Sequence, residues 1–220
     1  MSSFQGTEVL HNVYLADFEE GKRLFTRSGY PPHYGERKVQ DCREWIPYRS
    51  KLAAMIMKGH TPEIKEDTRM LYLGAASGTT VSHISDILER GVIYAVEYSA
   101  KPFQKFLGLA MERKNIIPIL ADAASPERYS GIVEKVDFIY QDIAQRNQVD
   151  IFVRNFEFFG KKRSLGLIFV KAKSIDSTAE PQEIYREVIG SLEEGFDIIE
   201  WSNLDPYHRD HIFVYARWMG

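Results

Sequence analysis

The sequence predicts an α/β fold: a mostly parallel, Rossmann-like sheet of seven strands whose last strand is antiparallel, preceded by a small β-rich domain. Three observations support this prediction. From residue 69 onward, apolar β-branched runs alternate with segments of helical spacing, which is typical of a parallel sheet covered on both faces. The connection NLDPYHRD between the last two runs is too short for a crossover helix. The first 55 residues or so lack the alternation.

The amino-terminal domain, residues 1–55, is expected to be rich in short strands. TEVLHNVYLAD, GKRLFTRS and ERKVQDCREW have the composition of strands, and the turn-rich stretches DFEEGK and GYPPHYGE mark the breaks. No Gly/Ser/Pro-rich linker separates this domain from residues 56–220, so we expect the two to pack as one rigid body. Lys51 opens a predicted helix, RSKLAAMIMKG.

The second domain, residues 56–220, carries the alternating pattern. Its predicted strands are RMLYLGA, GVIYAVEY, NIIPILAD, KVDFIYQD, LGLIFVKAK, FDIIEWS and HIFVYARW. The helical segments between the first six are VSHISDILER, KPFQKFLGLAMERK, a short piece near SPERYSG, VDIFVRNFEFFG and PQEIYREVIGSLEEG. The last two strands are predicted to be antiparallel neighbours.

Composition excludes several classes of protein. No apolar stretch approaches the roughly 18 residues of a membrane span, and the start of the chain lacks the pattern of a secretory signal, so a cytoplasmic protein is expected. Cys42 is the single cysteine, which excludes an intramolecular disulfide and a cysteine zinc cluster. The net charge of −3 argues against RNA binding by this chain alone, which usually requires a basic surface.

The carboxyl ends of the first five predicted strands indicate a ligand site. Ligands bind beyond these ends in such sheets. A single charge there is more often a solvated loop residue, but four charged ends at one edge favour a site. The residues at these ends are Gly74 to Thr80, Glu97, Asp122 with Ala123, Asp142, and Lys171.

The loop within LYLGAASGTT narrows the choice of ligand. It has neither the Lys-Ser or Lys-Thr of a phosphate-binding P-loop nor the dinucleotide fingerprint G-x-G-x-x-G. Glu97 nevertheless ends the second strand, where a carboxylate accepts hydrogen bonds from ribose hydroxyls. Asp122 and Ala123 fall where an adenine edge would lie. A ribose-binding carboxylate without a diphosphate loop, together with an antiparallel seventh strand, predicts the S-adenosylmethionine (SAM)-dependent methyltransferase fold.

Seven motifs make the resemblance specific. WIPYRSKLAA, YLGAASGTT, YAVEYS, ADA, YQDIAQ, VKAKSID and RDHIFVYARW resemble fibrillarin, from about residue 7 to the end. The archaeal form fits best, because the Gly/Arg-rich amino-terminal extension of the eukaryotic proteins is absent. The family pattern more often has Arg where Lys173 stands and Val where Ile143 stands. The resemblance implies methyl transfer from SAM to a ribose 2′-hydroxyl in RNA.

The resemblance also implies the site residues. A Lys-Asp-Lys set plus a fourth polar residue matches Lys51, Asp142, Lys171 and His211, with Asp210 as the alternative to His211. Asp142 is expected beside Lys171, one strand over. The predicted cofactor-binding residues are Gly74, Ala75, Thr79, Thr80, Glu97, Tyr98, Asp122, Ala123, Asp142, Ile143, Ala144 and Gln145.

Each basic or metal-ligating signal has an ordinary alternative. Lys171 ends a very apolar strand, and the alternative to a catalytic role is a lysine whose charged end extends to solvent. Without the resemblance, Lys51 would be interpreted as an ordinary surface lysine of a helix. His208 and His211 lack further ligands, so no metal site is predicted. The run Lys161 to Arg163 precedes the fifth strand at the opposite edge and is predicted to be a solvated turn rather than an RNA surface.

Three functions are consistent with the sequence. The first is guide-RNA-directed ribose 2′-O-methylation of rRNA and tRNA within a ribonucleoprotein. For this the resemblance implies a Nop-type scaffold protein, a ribosomal-protein-like kink-turn-binding subunit and a box C/D guide RNA as partners. The second is methylation of a small molecule or protein. The third is an inactive SAM-binding scaffold, which has no chemical need for Lys171 and Asp142.

Overall fold

The computed structural model describes residues 4–220, which form two β-sheets. The larger sheet has seven strands in the order β11-β12-β10-β9-β6-β7-β8, and the smaller has five in the order β1-β2-β3-β5-β4. No helix within the described residues is long and apolar enough to cross a membrane.

The seven-stranded sheet has the predicted topology. Neighbours from β10 through β8 are parallel, and β12 runs antiparallel to both β10 and β11. The predicted pairing of the last two strands is therefore confirmed. The strands are β6 (Arg69–Leu73), β7 (Val92–Glu97), β8 (Ile116–Leu120), β9 (Val136–Gln141), β10 (Gly160–Lys171), β11 (Phe196–Asn203) and β12 (His211–Trp218).

Helices cover both faces of this sheet because its central strands are apolar on both sides. In β6, Met70 and Tyr72 pack into one core and Leu71 and Leu73 into the other, as the alternation of side chains along a strand requires. The helices are α1 (Lys51–Met57), α2 (Thr79–Ile87), α3 (Ala100–Glu112), α4 (Gln148–Phe159), α5 (Ala172–Ile175) and α6 (Pro181–Glu193). The short piece near SPERYSG is a 3-10 turn, Pro126–Arg128.

The smaller sheet contains more strands than the sequence predicts. Its strands are β1 (Thr7–Leu10), β2 (Val13–Phe18), β3 (Gly21–Arg27), β4 (Lys38–Val39) and β5 (Cys42–Glu44). The first and third predicted strands are each a hairpin, closed at Asn12 and Gln40, whose φ angles are 60° and 55°. These left-handed turn residues are not glycine, so the breaks carry a weak sequence signal. The domain boundary at residue 55 stays a prediction.

A buried polar cluster joins the smaller sheet to α2. The carboxylate of Asp86 accepts hydrogen bonds from Arg43 (2.6 Å) and Arg113 (2.7 Å) and from the hydroxyls of Thr26 (2.9 Å) and Ser28 (2.7 Å). All five residues are buried. The two sheets are therefore joined by directional contacts as well as by apolar packing.

The basic run Lys161 to Arg163 is part of a strand, whereas the sequence predicts a turn. Its residues are exposed, but they belong to β10 rather than to a turn before it. The pairing of β10 with β9 shifts register between Gly160 and Leu165, and Arg163 has a φ of 65°. Lys161 pairs with Asp137 at 2.5 Å. This run lies at the opposite end of β10 from Lys171, as the sequence predicts.

Candidate active site

The loop after β6 lies directly against the end of β9. Gly74 has a φ of +90°, and a Cβ there would be 2.3 Å from the carbonyl oxygen of Asp142. Ala76 and Gly78 are also left-handed, with φ angles of 48° and 94°. Glycine is required at residue 74 for both conformation and space. The small side chains of this loop therefore allow the backbone to line a cavity.

The Glu97 carboxylate is fixed by backbone donors at the end of β7. One of its oxygens accepts a hydrogen bond from the N–H of Ala76 and the other from the N–H of Ser99, each at 2.7 Å. The side chain is nearly buried, with 9% of the residue exposed. Each carboxylate oxygen can accept a further hydrogen bond, so Glu97 can bind a pair of ribose hydroxyls.

These two features border one pocket at the carboxyl edge of the sheet, with a volume of about 240 Å³. The predicted cofactor residues that line it are Gly74, Glu97, Tyr98, Ala123, Asp142, Ile143, Ala144 and Gln145. Ala76, within the predicted Gly74 to Thr80 loop, also lines the pocket, which adds three residues outside the predicted set: Val96, Ser99 and Ala121. Their side chains are small or apolar, so only the fold brings them to attention.

Four predicted cofactor residues lie outside this lining. Asp122 borders an adjoining cavity with Tyr98, and its carboxylate accepts from the N–H of Ala124 at 2.9 Å. Thr80 is buried and donates its hydroxyl to Ser50 at 3.0 Å. Ala75 is also buried. Thr79 is the first residue of α2. Their roles toward a cofactor stay predictions.

The chemistry of the pocket fits SAM. Gly74 lets the loop pack closely against the Asp142 backbone in the pocket wall, and Glu97 offers acceptors to a ribose. Tyr98, 70% exposed, offers an aromatic face beside the pocket. Asp142 supplies a negative charge on the wall, which favours a cationic sulfonium over an anionic pyrophosphate.

Lys51 and Asp142 form an ion pair at the edge of this pocket. The Nζ of Lys51 donates to Oδ1 of Asp142 at 2.6 Å, and both side chains are about four-fifths buried, with exposures of 19% and 23%. Asp142 follows β9, and its N–H bonds to the carbonyl of Leu73. A residue of the predicted first domain is thus brought to a strand end of the second.

Lys171 lies at the same edge but has a different environment. It is exposed at the end of β10, paired in register with His211 of β12. Within residues 4–220, its ammonium group makes no hydrogen bond or ion pair. Asp142 lies one strand over from Lys171, as the sequence predicts, because β9 and β10 are parallel neighbours. Its carboxylate, however, forms its ion pair with Lys51.

His211 and Asp210 have separate partners. The Nδ1–H of His211 donates to the carbonyl of Arg209 at 2.7 Å; a carbonyl only accepts, so Nε2 keeps its lone pair. Burial lowers the pKa of His211, opposed by the bond to Arg209, and the Lys51 cation lowers it further. Asp210 is paired with Lys173 at 3.2 Å. Because the Asp210 carboxylate is paired with Lys173, His211 is the polar group more available to a substrate.

His208 lies at the edge of the site, although the sequence does not predict it to be a site residue. Its ring lies 5.8 Å from that of His211, and its Nε2 lies 2.8 Å from the carbonyl oxygen of Pro47. Burial is the main cause of its lowered pKa, and the nearby Lys51 cation adds to the effect. Its spacing of three from His211 was the only sequence signal.

Metal-ligating side chains gather elsewhere. Among the described residues, His11, Glu66 and Glu89 form the one group of three with ligand atoms within 4.8 Å of one another. Glu66 already pairs with Arg90 at 2.5 Å. This group lies apart from the pocket, and neither His208 nor His211 belongs to it.

Comparison with known proteins agrees with this geometry. The family model described as Fibrillarin matches residues 5–220. A fibrillarin-like rRNA/tRNA 2′-O-methyltransferase of Archaeoglobus fulgidus is 58% identical over 209 residues, covering 95% of this chain and 98% of that protein.

Two solved structures extend the similarity to three dimensions. A crystal structure of a fibrillarin/Nop5p complex contains a chain with 57% identity and a TM-score of 0.92, covering 96% of this chain and all of that one. Aeropyrum pernix fibrillarin, crystallised with natively bound SAM, is 43% identical with a TM-score of 0.87, covering 98% of each chain. The chain described here belongs to the fibrillarin family.

Proposed function

We propose that this chain is the catalytic subunit of a guide-RNA-directed ribonucleoprotein that methylates ribose 2′-hydroxyls of rRNA and tRNA with SAM. The observation that carries the proposal is the Lys51–Asp142 pair at the edge of the pocket, with Lys171 and His211 at the same strand ends. Family membership supports the reaction and the cofactor.

The cofactor is held by the pocket around Gly74 and Glu97. SAM supplies an electrophilic methyl group on a sulfonium centre. Glu97, already oriented by two backbone N–H groups, binds the ribose hydroxyls of the cofactor. Tyr98 provides a face for the adenine. Asp142 stabilises the positive charge of the sulfonium group. Its ion pair with Lys51 links the cofactor pocket to the side on which the substrate binds.

The remaining residues act on the attacking hydroxyl. Lys171 is a cation without a protein partner among the described residues, so it is free to stabilise negative charge that develops on the substrate oxygen. His211 is kept neutral near pH 7 by burial and by the Lys51 cation. Its Nε2 lone pair can therefore accept the hydroxyl proton. Lys51 holds Asp142 in place by their 2.6 Å contact.

Methylation of a small molecule is less consistent with this edge. Lys171 is exposed and the ends of β10 and β12 are open to the surface, whereas small-molecule sites usually enclose most of their ligand. An inactive scaffold would have no use for a buried ion pair beside the cofactor. An open edge suits a large substrate such as RNA.

Partners are required because this chain carries an acidic excess, with 28 basic and 31 acidic side chains. The similar chain in the fibrillarin/Nop5p complex supports a Nop-type scaffold as one partner. We infer that a kink-turn-binding subunit and a box C/D guide RNA complete the particle. Electrophoretic shifts at near-physiological salt should show weak, sequence-indifferent RNA binding by the chain alone. Tight, guide-specific binding without the scaffold would contradict this.

Label transfer in a reconstituted particle tests the function. The chain is mixed with labelled SAM, scaffold, kink-turn-binding protein, guide RNA and target RNA. We expect label at a single guide-specified ribose and resistance of the adjacent linkage to alkaline cleavage, since a 2′-O-methyl group blocks that cleavage. Label on a base or on protein, or transfer that ignores the guide, would contradict the proposal.

A further inference from the structure

We propose that His208 is a positioning residue that fastens the turn bearing Lys51 to the loop between β11 and β12. Its importance for catalysis rests on the proposed function of Lys51, but the contact itself can be tested on the isolated chain. His208 touches neither Asp142 nor Lys51 by a hydrogen bond, so it acts through the backbone of the turn.

The turn before Lys51 has little to hold it from within. Residues Pro47–Arg49 form a 3-10 turn, stabilised internally by the bonds from Arg49 N–H to Ile46 (3.0 Å) and from Ser50 N–H to Pro47 (3.4 Å). It belongs to neither sheet. Ser50 caps α1 by accepting from the N–H of Ala53 (3.3 Å). Because 3-10 turns have poor hydrogen-bond geometry, contacts from outside the turn help to fix its position relative to the sheet.

Two such contacts come from adjacent residues of the β11–β12 loop. The Nε2 of His208 donates to the carbonyl oxygen of Pro47 at 2.8 Å. The ring of Tyr207 packs edge-to-face against that of Tyr48, with 5.2 Å between centroids and 69° between planes. The first contact is directional and half-buried, so it fixes the position of the Pro47 carbonyl.

The loop is itself firmly held. His208 N–H donates to Leu204 (3.1 Å), whose own N–H donates to the carbonyl of His211 (2.9 Å), and Leu204 is fully buried. At the other end of α1, Lys58 donates to Asn203 Oδ1 (2.9 Å) and to the Asp205 carbonyl (2.8 Å). The loop therefore contacts the turn before α1 and the carboxyl end of α1. The same loop leads directly into His211, the first residue of β12.

The chemistry of His208 suits this role. A carbonyl only accepts, so the bond to Pro47 requires the proton on Nε2. Burial and the Lys51 cation lower the pKa of His208, which keeps the ring neutral near pH 7. A neutral donor secures the turn without placing a second cation next to Lys51. This bond contributes the directional contact at the turn that helps to fix the separation of Lys51 and His211.

Chemical labelling of Lys51 tests the contact directly. Lysine acylation is followed residue by residue by mass spectrometry on wild type, His208→Gln and His208→Asn. The Gln amide reaches about where Nε2 lies, whereas the Asn amide is too short. We expect Lys51 to label several-fold faster in His208→Asn and at the wild-type rate in His208→Gln. Lys171, which is exposed and lies outside the turn, is the internal standard.

A matched control uses another half-buried histidine near the same loop. His60 bonds to Glu200 of β11 at 2.6 Å and does not touch the Lys51 turn. His60→Asn should leave the labelling of Lys51 unchanged. An unchanged Lys51 rate in His208→Asn, or an equal rise in His60→Asn, would overturn the proposal.

Kinetics of the reconstituted particle separate positioning from RNA binding. His208→Asn should lower kcat roughly tenfold or more, because small misplacements of a catalytic group are costly, with the KM for RNA and SAM affinity unchanged. His208→Gln should restore most of kcat. A rise in the KM for RNA with normal kcat would mean that His208 contacts the substrate, and would overturn the positioning role.

Discussion

Gly74 stands where the cofactor loop passes closest to another backbone. Substituting Ala would place a Cβ 2.3 Å from the Asp142 carbonyl oxygen at a φ of +90°, so either the loop or the end of β9 must move. We expect Gly74→Ala to lose the rise in melting temperature that saturating SAM gives to wild type. Gly108→Ala, with open space around its Cβ, should keep it. Equal SAM stabilisation in both variants would contradict this.

Glu97 should contribute to SAM affinity through its acceptors. Glu97→Ala removes the ribose acceptor and also frees the N–H groups of Ala76 and Ser99. Since hydrogen bonds to a charged group contribute about 1.5–3 kcal/mol each, we expect SAM to bind on the order of tenfold more weakly, or worse, by calorimetry. Glu187→Ala, at an exposed position of α6, is the control. Unchanged affinity in Glu97→Ala would make Glu97 an ordinary loop charge.

Some residues could be predicted from sequence and others could not, for a physical reason. Glu97 and Asp142 end apolar strands, so local pattern predicts their place at the sheet edge, and the structure places both in the pocket lining. The contact of Asp142 with Lys51 joins residues 91 apart in the chain. No local periodicity encodes such a contact, and only the family resemblance placed Lys51 at the site.

At the scale of elements, long apolar strands were predictable and short hairpins were not. Strands such as β9 and β10 are buried on both faces, which gives a strong local signal. The hairpins β1–β2 and β4–β5 are closed by Asn12 and Gln40 in left-handed conformations. Without a glycine at the turn, each hairpin reads as one continuous strand.

The junction between α2 and the smaller sheet should depend on Asp86. Asp86→Asn removes the charge that balances two buried guanidinium groups, those of Arg43 and Arg113. Breaking a buried ion pair in this way typically costs about 3–5 kcal/mol, so we expect a loss of that order in the free energy of unfolding by urea. Asp197→Asn, whose partner Arg217 is at the surface, should cost less than about 1 kcal/mol. Equal small losses would show that the junction is held by apolar packing alone.

For the molecule as a whole, one buried and two half-buried histidines should make folding sensitive to mild acid. Burial lowers the pKa of His83 well below its ordinary value, and the pKa values of His208 and His211 are lowered as well. The unfolded chain therefore takes up protons below about pH 6.5, whereas these histidines of the folded chain take them up only at lower pH. Stability is full above that pH and falls as the pH decreases, by up to about 1.4 kcal/mol per pH unit for each such histidine.

Urea unfolding at pH 7.5 and 5.5 measures this dependence. His83 is buried, bonded to Thr26 at 2.8 Å and stacked on Trp45, so it should contribute the largest share. His83→Gln should be less stable than wild type at pH 7.5 but should lose less on acidification. Greater stability of the wild type at pH 5.5 than at 7.5 would contradict the assigned direction.

The central claim is that Lys171, at the open edge beside the cofactor pocket, assists methyl transfer. Its most direct test is single-turnover label transfer by reconstituted particles containing wild type, Lys171→Ala or Lys161→Ala. The control changes the lysine near the opposite end of the same strand, β10. We expect Lys171→Ala to react at least about a hundredfold more slowly with normal SAM binding, and Lys161→Ala to match wild type. Near-wild-type transfer by Lys171→Ala, with SAM bound normally, would contradict the account.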